Sequence, residues 1–258
     1  MRRLSTIFWS GYAGLMVMFM LTPLALVVLF SFGKSKLTNF PMGGLSFTWY
    51  DAIFQDPAFW AAFWNSMIVS GFVCLVSTLV GTAAAMVFAR MPPKLSGVGI
   101  IMLCLPIMLP ALVLGIAALA FYVSIGLPLG LFTVILSHVV ITQPFVILIV
   151  YARMLGFDYA ALESARDLGA GPLRAFLTVT LPIIRATVIG AALIALAISL
   201  DEFIITFFTI SGGNTLPTLV FGMLRRTLGP QINAIGTLLL ALTVGSTLIA
   251  LWITRYRG

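Results

Sequence analysis

The chain has 258 residues, 61% of them hydrophobic and 8% charged, with a mean hydropathy of +1.16. Soluble domains carry about 25% charged residues, so this composition excludes a soluble globular protein and predicts an integral membrane protein. The net charge of +7 comes from dispersed Lys and Arg, and without a basic face on a soluble domain it does not support a nucleic-acid partner.

Six segments reach the ~20 apolar residues that a membrane-crossing helix needs: 7–32, 63–89, 98–123, 129–152, 182–208 and 232–254. The runs are continuously apolar rather than alternating with period two, which argues against a β-barrel. The predicted fold class is therefore all-α, six transmembrane helices in a single membrane domain, 1–258. The basic opening MRRLS leads into an apolar run longer than a signal-peptide core and without a small-residue cleavage site, so it reads as a retained first span. Between spans 1 and 2, FTWYDAIFQDPAFWAAFWNS carries Trp49, Tyr50, Trp60 and Trp64. These amphipathic rings suit a headgroup layer, and the stretch is expected to form an interfacial helix leading into span 2.

Span 3 contains Pro106 and Pro110, each lacking a backbone donor and crowding the carbonyl one turn back, so that helix should bend. The bend serves either a moving path or simple packing. Cys74 and Cys104 sit in apolar runs with no Cys/His spacing, which gives no support to a metal site or a disulfide. In span 4 the lone His138 is expected to turn into the bundle and be hydrogen-bonded there. With the N-terminus inside, ten Lys and Arg fall on the cytoplasmic side and four outside, which places both termini in the cytoplasm.

The loop between spans 4 and 5, residues 153–181, concentrates charge in a chain nearly devoid of it. Tyr159, Leu162, Ala165 and Leu168 recur at helical spacing and predict a short amphipathic helix, ended by Gly169 and the Gly171-Pro172 pair. A second segment, LRAFLTVTLP, returns to the membrane. ESARDLG, nine further residues and then VTLP resemble the cytoplasmic signature of permease subunits of binding-protein-dependent ABC importers. In that signature Glu163, Ala165, Gly169, Leu181 and Pro182 match, while Ser164 stands for a second Ala and Val179 for an Ile. The resemblance implies that this loop couples the chain to an ATPase, with ATP and Mg held on the partner and no cofactor in this chain. No G-x-x-x-x-G-K-[ST] sequence occurs here to cradle phosphates.

The wider sequence, including FTWYDAIF, SLDEF and GGNTLPTLVFGMLRR, is similar to the second-permease type of the spermidine/putrescine branch. That similarity implies a lipid-embedded, multi-pass, non-catalytic subunit of the bacterial inner membrane. It would pair with a second homologous permease, expected as a heterodimer, with two ATPase copies and with a soluble solute-binding protein. The substrate implied is a polyamine; related subunits carry ferric iron, thiamine, opines or phosphonates, and a secondary transporter is the rival class.

Asp201 and Glu202 stand adjacent in the apolar fifth span. A carboxylate at mid-bilayer costs about 2.5–3.5 kcal/mol, and each Leu, Ile, Val or Phe returns about 0.3–0.6. The fourteen such residues between 183 and 208 leave a lipid-exposed pair marginal, so the acids should face protein or water, or lie at the outer helix end. On a continuous helix Ser199, Glu202 and Thr206 share one small, polar stripe, which makes Glu202 the path-facing acid, Ser199 and Thr206 its neighbours, and Asp201 a contact to another helix or the second permease. Such a path favours a cation. Arg225 and Arg226, among apolar residues before span 6, are candidates for pairing with acids on the binding protein, or else simply solvate a loop.

Overall fold

The computed structural model describes the backbone of residues 2–35, 38, 40–225 and 229–255, with side chains from residue 8 to 248 within those ranges and at 252. Of the sequence candidates, Arg226 lies outside the described residues. Helices account for the described spans: α1 Arg2–Ser31, α2 Thr48–Phe54, α3 Pro57–Phe88, α4 Pro93–Met108, α5 Ala111–Ser124, α6 Leu131–Leu155, α7 Ala160–Asp167, α8 Pro172–Ala175, α9 Leu181–Asp201, α10 Ile204–Thr209, α11 Leu216–Leu224 and α12 Pro230–Arg255. A π-helical turn, Phe176–Thr180, joins α8 to α9. Among the described residues, five helical stretches are long and apolar enough to cross a membrane, and six if α4 and α5 form one broken span.

The chain divides into two compact units, Met1–Trp60 with Leu219–Leu242, and Ala61–Thr218 with Thr243–Gly258. In the first, α1 is apolar all round and its side chains from Phe8 to Leu26 are exposed, a surface suited only to lipid or another chain. The aromatic stretch is two helices rather than one. Asp56 breaks it: its Oδ1 accepts the Ala58 N–H at 2.8 Å, capping α3, and Pro57 occupies a first-turn position that needs no donor. The rings anchor the segment by their polar tips, since Trp49 Nε1 donates to the Gly33 carbonyl at 2.6 Å, Trp60 Nε1 donates to Phe54 O at 2.9 Å, and the Tyr50 and Ser31 hydroxyls lie 2.7 Å apart.

The second unit is built on α6, which packs against α4, α9 and α10. Its apolar composition suits burial on several faces, and Val134, Val146, Ile147, Val150 and Met154 are fully covered. Gly81 lets α3 lie against α6: a Cβ there would fall 2.6 Å from Val146 Cγ1, and small residues are how membrane helices approach closely without a hydrophobic drive.

The expected bend in span 3 is a full break. Leu109 and Pro110 are extended, with ψ of 141° and 136°, and α4 meets α5 at 98°. The residue before a proline is pushed out of the α region, so Leu109 ends α4 and Pro110 starts α5. The helix α5 then packs on α10, where Gly115 accommodates Phe208.

Span 5 differs from expectation at both ends. It begins at Pro172, because α8, the π turn and α9 run on as one helical stretch to Asp201; LRAFLTVTLP is the foot of that helix rather than a separate returning segment. Pro182 cannot donate to the ladder, and the π turn lies immediately before it. At the other end the helix stops at Asp201 instead of continuing to 208.

Candidate functional site

The charged loop folds as predicted through α7 but its exposed face is wider. Asp158 Oδ1 accepts the Ala160 N–H at 2.9 Å to start the helix. At its other end the Ala170 N–H donates to Ala165 O and the Gly169 N–H to Arg166 O, at 3.0 and 2.8 Å, the double bond of a Schellman stop. That stop needs a left-handed residue, and Gly169 supplies it at φ +84°.

Leu162 is buried in the same apolar cluster as Val150 and Met154 of α6, Ala175 of α8, and Ile184, Ala191 and Ala195 of α9. The helix is thus keyed into the membrane-domain core rather than laid loosely on its surface. Leu168 departs from the expected stripe. It is 89% exposed, because it is the C-cap residue and the chain has left the helical path that would carry it inward.

Glu163, Ser164 and Gly169 are exposed, as is Pro182, while Ala165 and Leu181 are half-buried. Ser164 Oγ donates to Ala160 O at 2.9 Å, so its hydroxyl is satisfied within the helix. Beside α7 lies a cavity of about 330 Å³ lined by Ala89, Arg90, Tyr159, Leu162, Glu163 and Arg166. The Arg90 guanidinium stands 5.3 Å from the Tyr159 ring centroid, a cation–π distance, and the buried Tyr159 hydroxyl has no hydrogen-bond partner among the described residues. The surface of α7 and α8 therefore presents charge and exposed Leu168 and Leu173 beside a core-anchored base.

The second region is the break after Asp201. Glu202 is extended, at φ −71° and ψ 111°, and α10 begins at Ile204. The supposed single stripe through Ser199, Glu202 and Thr206 therefore does not exist as one helical face: extended backbone rotates everything beyond 201. Asp201 is exposed, whereas Glu202 is half-buried and its Oε1 accepts the Ile205 N–H at 3.0 Å.

Ser199 and Thr206 flank the break, are both buried, and converge on His138 of α6. Ser199 Oγ is 2.9 Å from His138 Nδ1, and Thr206 Oγ1 is 2.8 Å from Nε2. Thr206 also donates to the Glu202 carbonyl at 2.9 Å. Since a threonine hydroxyl has one proton, Thr206 must accept from Nε2–H, and Ser199 then donates to Nδ1. A neutral imidazole protonated at Nε2 satisfies this whole network. A second tie lies one turn earlier in α6, where Thr133 Oγ1 donates to the Thr209 carbonyl, 2.7 Å away.

Sequence reasoning placed His138 correctly as a hydrogen-bonded bundle residue but missed its partners. The signal available was chemical, two hydroxyls seven residues apart around two acids, but pairing them with a residue some 60 positions earlier needs the fold. The break itself has no glycine or proline to announce it.

Near the N-terminal end of α3, Asn65 Nδ2 donates to Asn214 O at 2.9 Å and Ser66 Oγ accepts the Leu216 N–H at 2.8 Å, so the segment carrying Gly212 at φ +73° is tied to that helix. Arg225 is exposed, its guanidinium 4.7 Å from the Phe221 ring centroid.

No family model matches the chain. The putrescine transport system permease protein PotI of Escherichia coli K12 is 33% identical over 230 residues, covering 86% of this chain and 82% of PotI. The spermidine/putrescine transport system permease protein PotC of Haemophilus influenzae is 30% identical over 237 residues, covering 90% and 91%. A chain of the bacterial alginate ABC transporter, solved in complex with an alginate pentasaccharide-bound periplasmic protein, superposes with a TM-score of 0.65 at 16% identity, over 99% of this chain and 93% of that one. The solved chain shares the fold, and the two permeases are similar in sequence over most of the length. With its apolar helices and its α7 signature, the chain belongs to the permease subunits of ABC importers, in the family that includes PotI and PotC.

Proposed function

We propose that this permease imports a polyamine such as putrescine or spermidine. The observation that carries the reading is the break after Asp201, which leaves one carboxylate exposed and a second half-buried beside it, in a chain whose relatives are named for these polyamines. An ammonium that sheds water gains most from a carboxylate held in a low-dielectric wall. Within the reading, Asp201 meets the substrate and Glu202 lies next to it, with Ser199 and Thr206 forming the buried wall behind them.

The ATP and Mg bind on two copies of a partner ATPase, one of which seats on α7 through Glu163, Ser164 and Ala165. Gly169 holds the stop of that helix, and Leu181 and Pro182 mark where the lever enters α9. A second homologous permease completes the membrane path as a heterodimer, and a periplasmic binding protein delivers substrate. The chain lies in the inner membrane with both termini in the cytoplasm.

Reconstitution with the cognate ATPase and binding protein in proteoliposomes tests the substrate: ATP-driven uptake of radiolabelled putrescine or spermidine is expected. Uptake of thiamine or a phosphonate with none of either polyamine would overturn it. Arg225 and Arg226 supply cations for acids on the binding protein. Reversing both to Glu is expected to cut binding-protein stimulation of ATP hydrolysis several-fold, and unchanged stimulation would remove that role.

A further inference from the structure

We infer that His138 is a positioning residue for transport: it clamps the two sides of the helix break and so fixes where the Asp201 and Glu202 carboxylates stand. This rests on the cation-path reading above.

The geometry is specific. His138 is 1% exposed and sits on α6, the helix at the centre of the second unit. Its Nδ1 holds Ser199 in the last turn of α9 and its Nε2 holds Thr206 in α10, so one imidazole spans the extended Glu202–Phe203 link. The Thr206 hydroxyl passes the restraint on to the Glu202 carbonyl, and the Glu202 carboxylate is in turn held by the Ile205 amide. Ser199 and Thr206 are thereby tied directly to a single buried ring, and the Glu202 carbonyl is tied to it through Thr206.

An unpaired break would be free to re-form helix. Continuing α9 through Glu202 and Phe203 would rotate Thr206 and everything beyond it away from α6. Buried hydrogen bonds resist this because each group released inside the protein would lose its partner without water to replace it. The second tie, Thr133 to the Thr209 carbonyl, fixes the far end of α10 but leaves the link itself free, so the angle at the acids depends on His138. The ring is buried and both its nitrogens are engaged by hydroxyls, which makes the role one of position rather than proton transfer.

The test is the coupling ratio of the reconstituted complex, molecules of putrescine imported per ATP hydrolysed. His138→Leu puts an apolar side chain of similar size in place of the ring and removes both bonds. It is expected to lower the ratio at least tenfold, with binding-protein-stimulated ATP hydrolysis retained within about twofold, because the acids lose their placement while α7 and its core are untouched. A residue that only stabilises the bundle would lower hydrolysis and uptake together, and that outcome overturns the inference.

His138→Gln can still donate from its amide nitrogen to Thr206 and is expected to recover part of the ratio; no difference between Gln and Leu also overturns it. If His138→Leu fails to assemble, Thr206→Val removes the α10 bond alone and must by itself lower the ratio for the inference to stand. Should the Asp201 and Glu202 variants leave polyamine uptake unchanged, the cation reading fails. Should they abolish it while the His138 and Thr206 variants keep the parental ratio, only the inference fails.

Discussion

Glu163→Lys is expected to abolish ATP-driven uptake while the chain remains in the membrane. The substitution falls on an exposed position in the first turn of α7, so the fold of the subunit has little to lose: surface changes away from buried features typically alter stability by no more than ~0.5 kcal/mol. The site has more to lose. Glu163 is the acid in a cavity that also holds Arg90 and Arg166, and a third cation there would leave like charges facing one another as well as removing the acceptor proposed to meet the ATPase. The helix is keyed to α6 and α9 through Leu162, so a defect at its outer face is one of engagement rather than collapse.

Copurification with the ATPase should fall severalfold or more, and stimulated hydrolysis with it. Glu163→Gln, which keeps size and hydrogen bonding, should show a smaller loss. Normal copurification and uptake in Glu163→Lys would remove α7 from the coupling role.

Asp201→Asn is expected to reduce polyamine uptake by more than tenfold, equivalent to about 1.4 kcal/mol or more of lost interaction with the cation. Asn matches Asp in shape, so the change reads charge. Glu202→Gln is the sharper control. The carboxylate oxygen that accepts the Ile205 amide has a counterpart in the Gln carbonyl oxygen, so the cap and the break survive while the charge is removed. Glu202 is half-buried and already committed to the backbone, so its loss should cost less than that of exposed Asp201. This ordering reverses the one a continuous helix would give. Uptake unaltered in both variants would sink the cation path, and a larger loss in Glu202→Gln would return the path to Glu202.

Much of the α7 loop was legible in the residues because its determinants are local. Gly169 ends α7 since the stop requires a left-handed residue, and Leu162 is buried since it lies on the inner helical face. Leu168 was misassigned for a related reason: helical periodicity was extended one residue past the point where the helix ends, and cap geometry does not follow the 100° step. Pro110 likewise announced a disturbance, but the 98° turn it accompanies depends on α4 finding α6 and α5 finding α10.

The sequence by itself determined the class of molecule. Hydrocarbon admits only segments that satisfy their own backbone, so continuous apolar runs dictated membrane helices, and the local α7 pattern placed the chain among ABC-importer permeases. Only the tertiary structure decided the arrangement of the acids. Nothing near residue 202 disfavours helix as proline does, and the break persists because buried bonds from His138 to Ser199 and Thr206 hold the chain out of the helical path. Those bonds join residues 61 and 68 positions apart, a pairing that helical periodicity cannot encode and that exists only once α6, α9 and α10 are packed together.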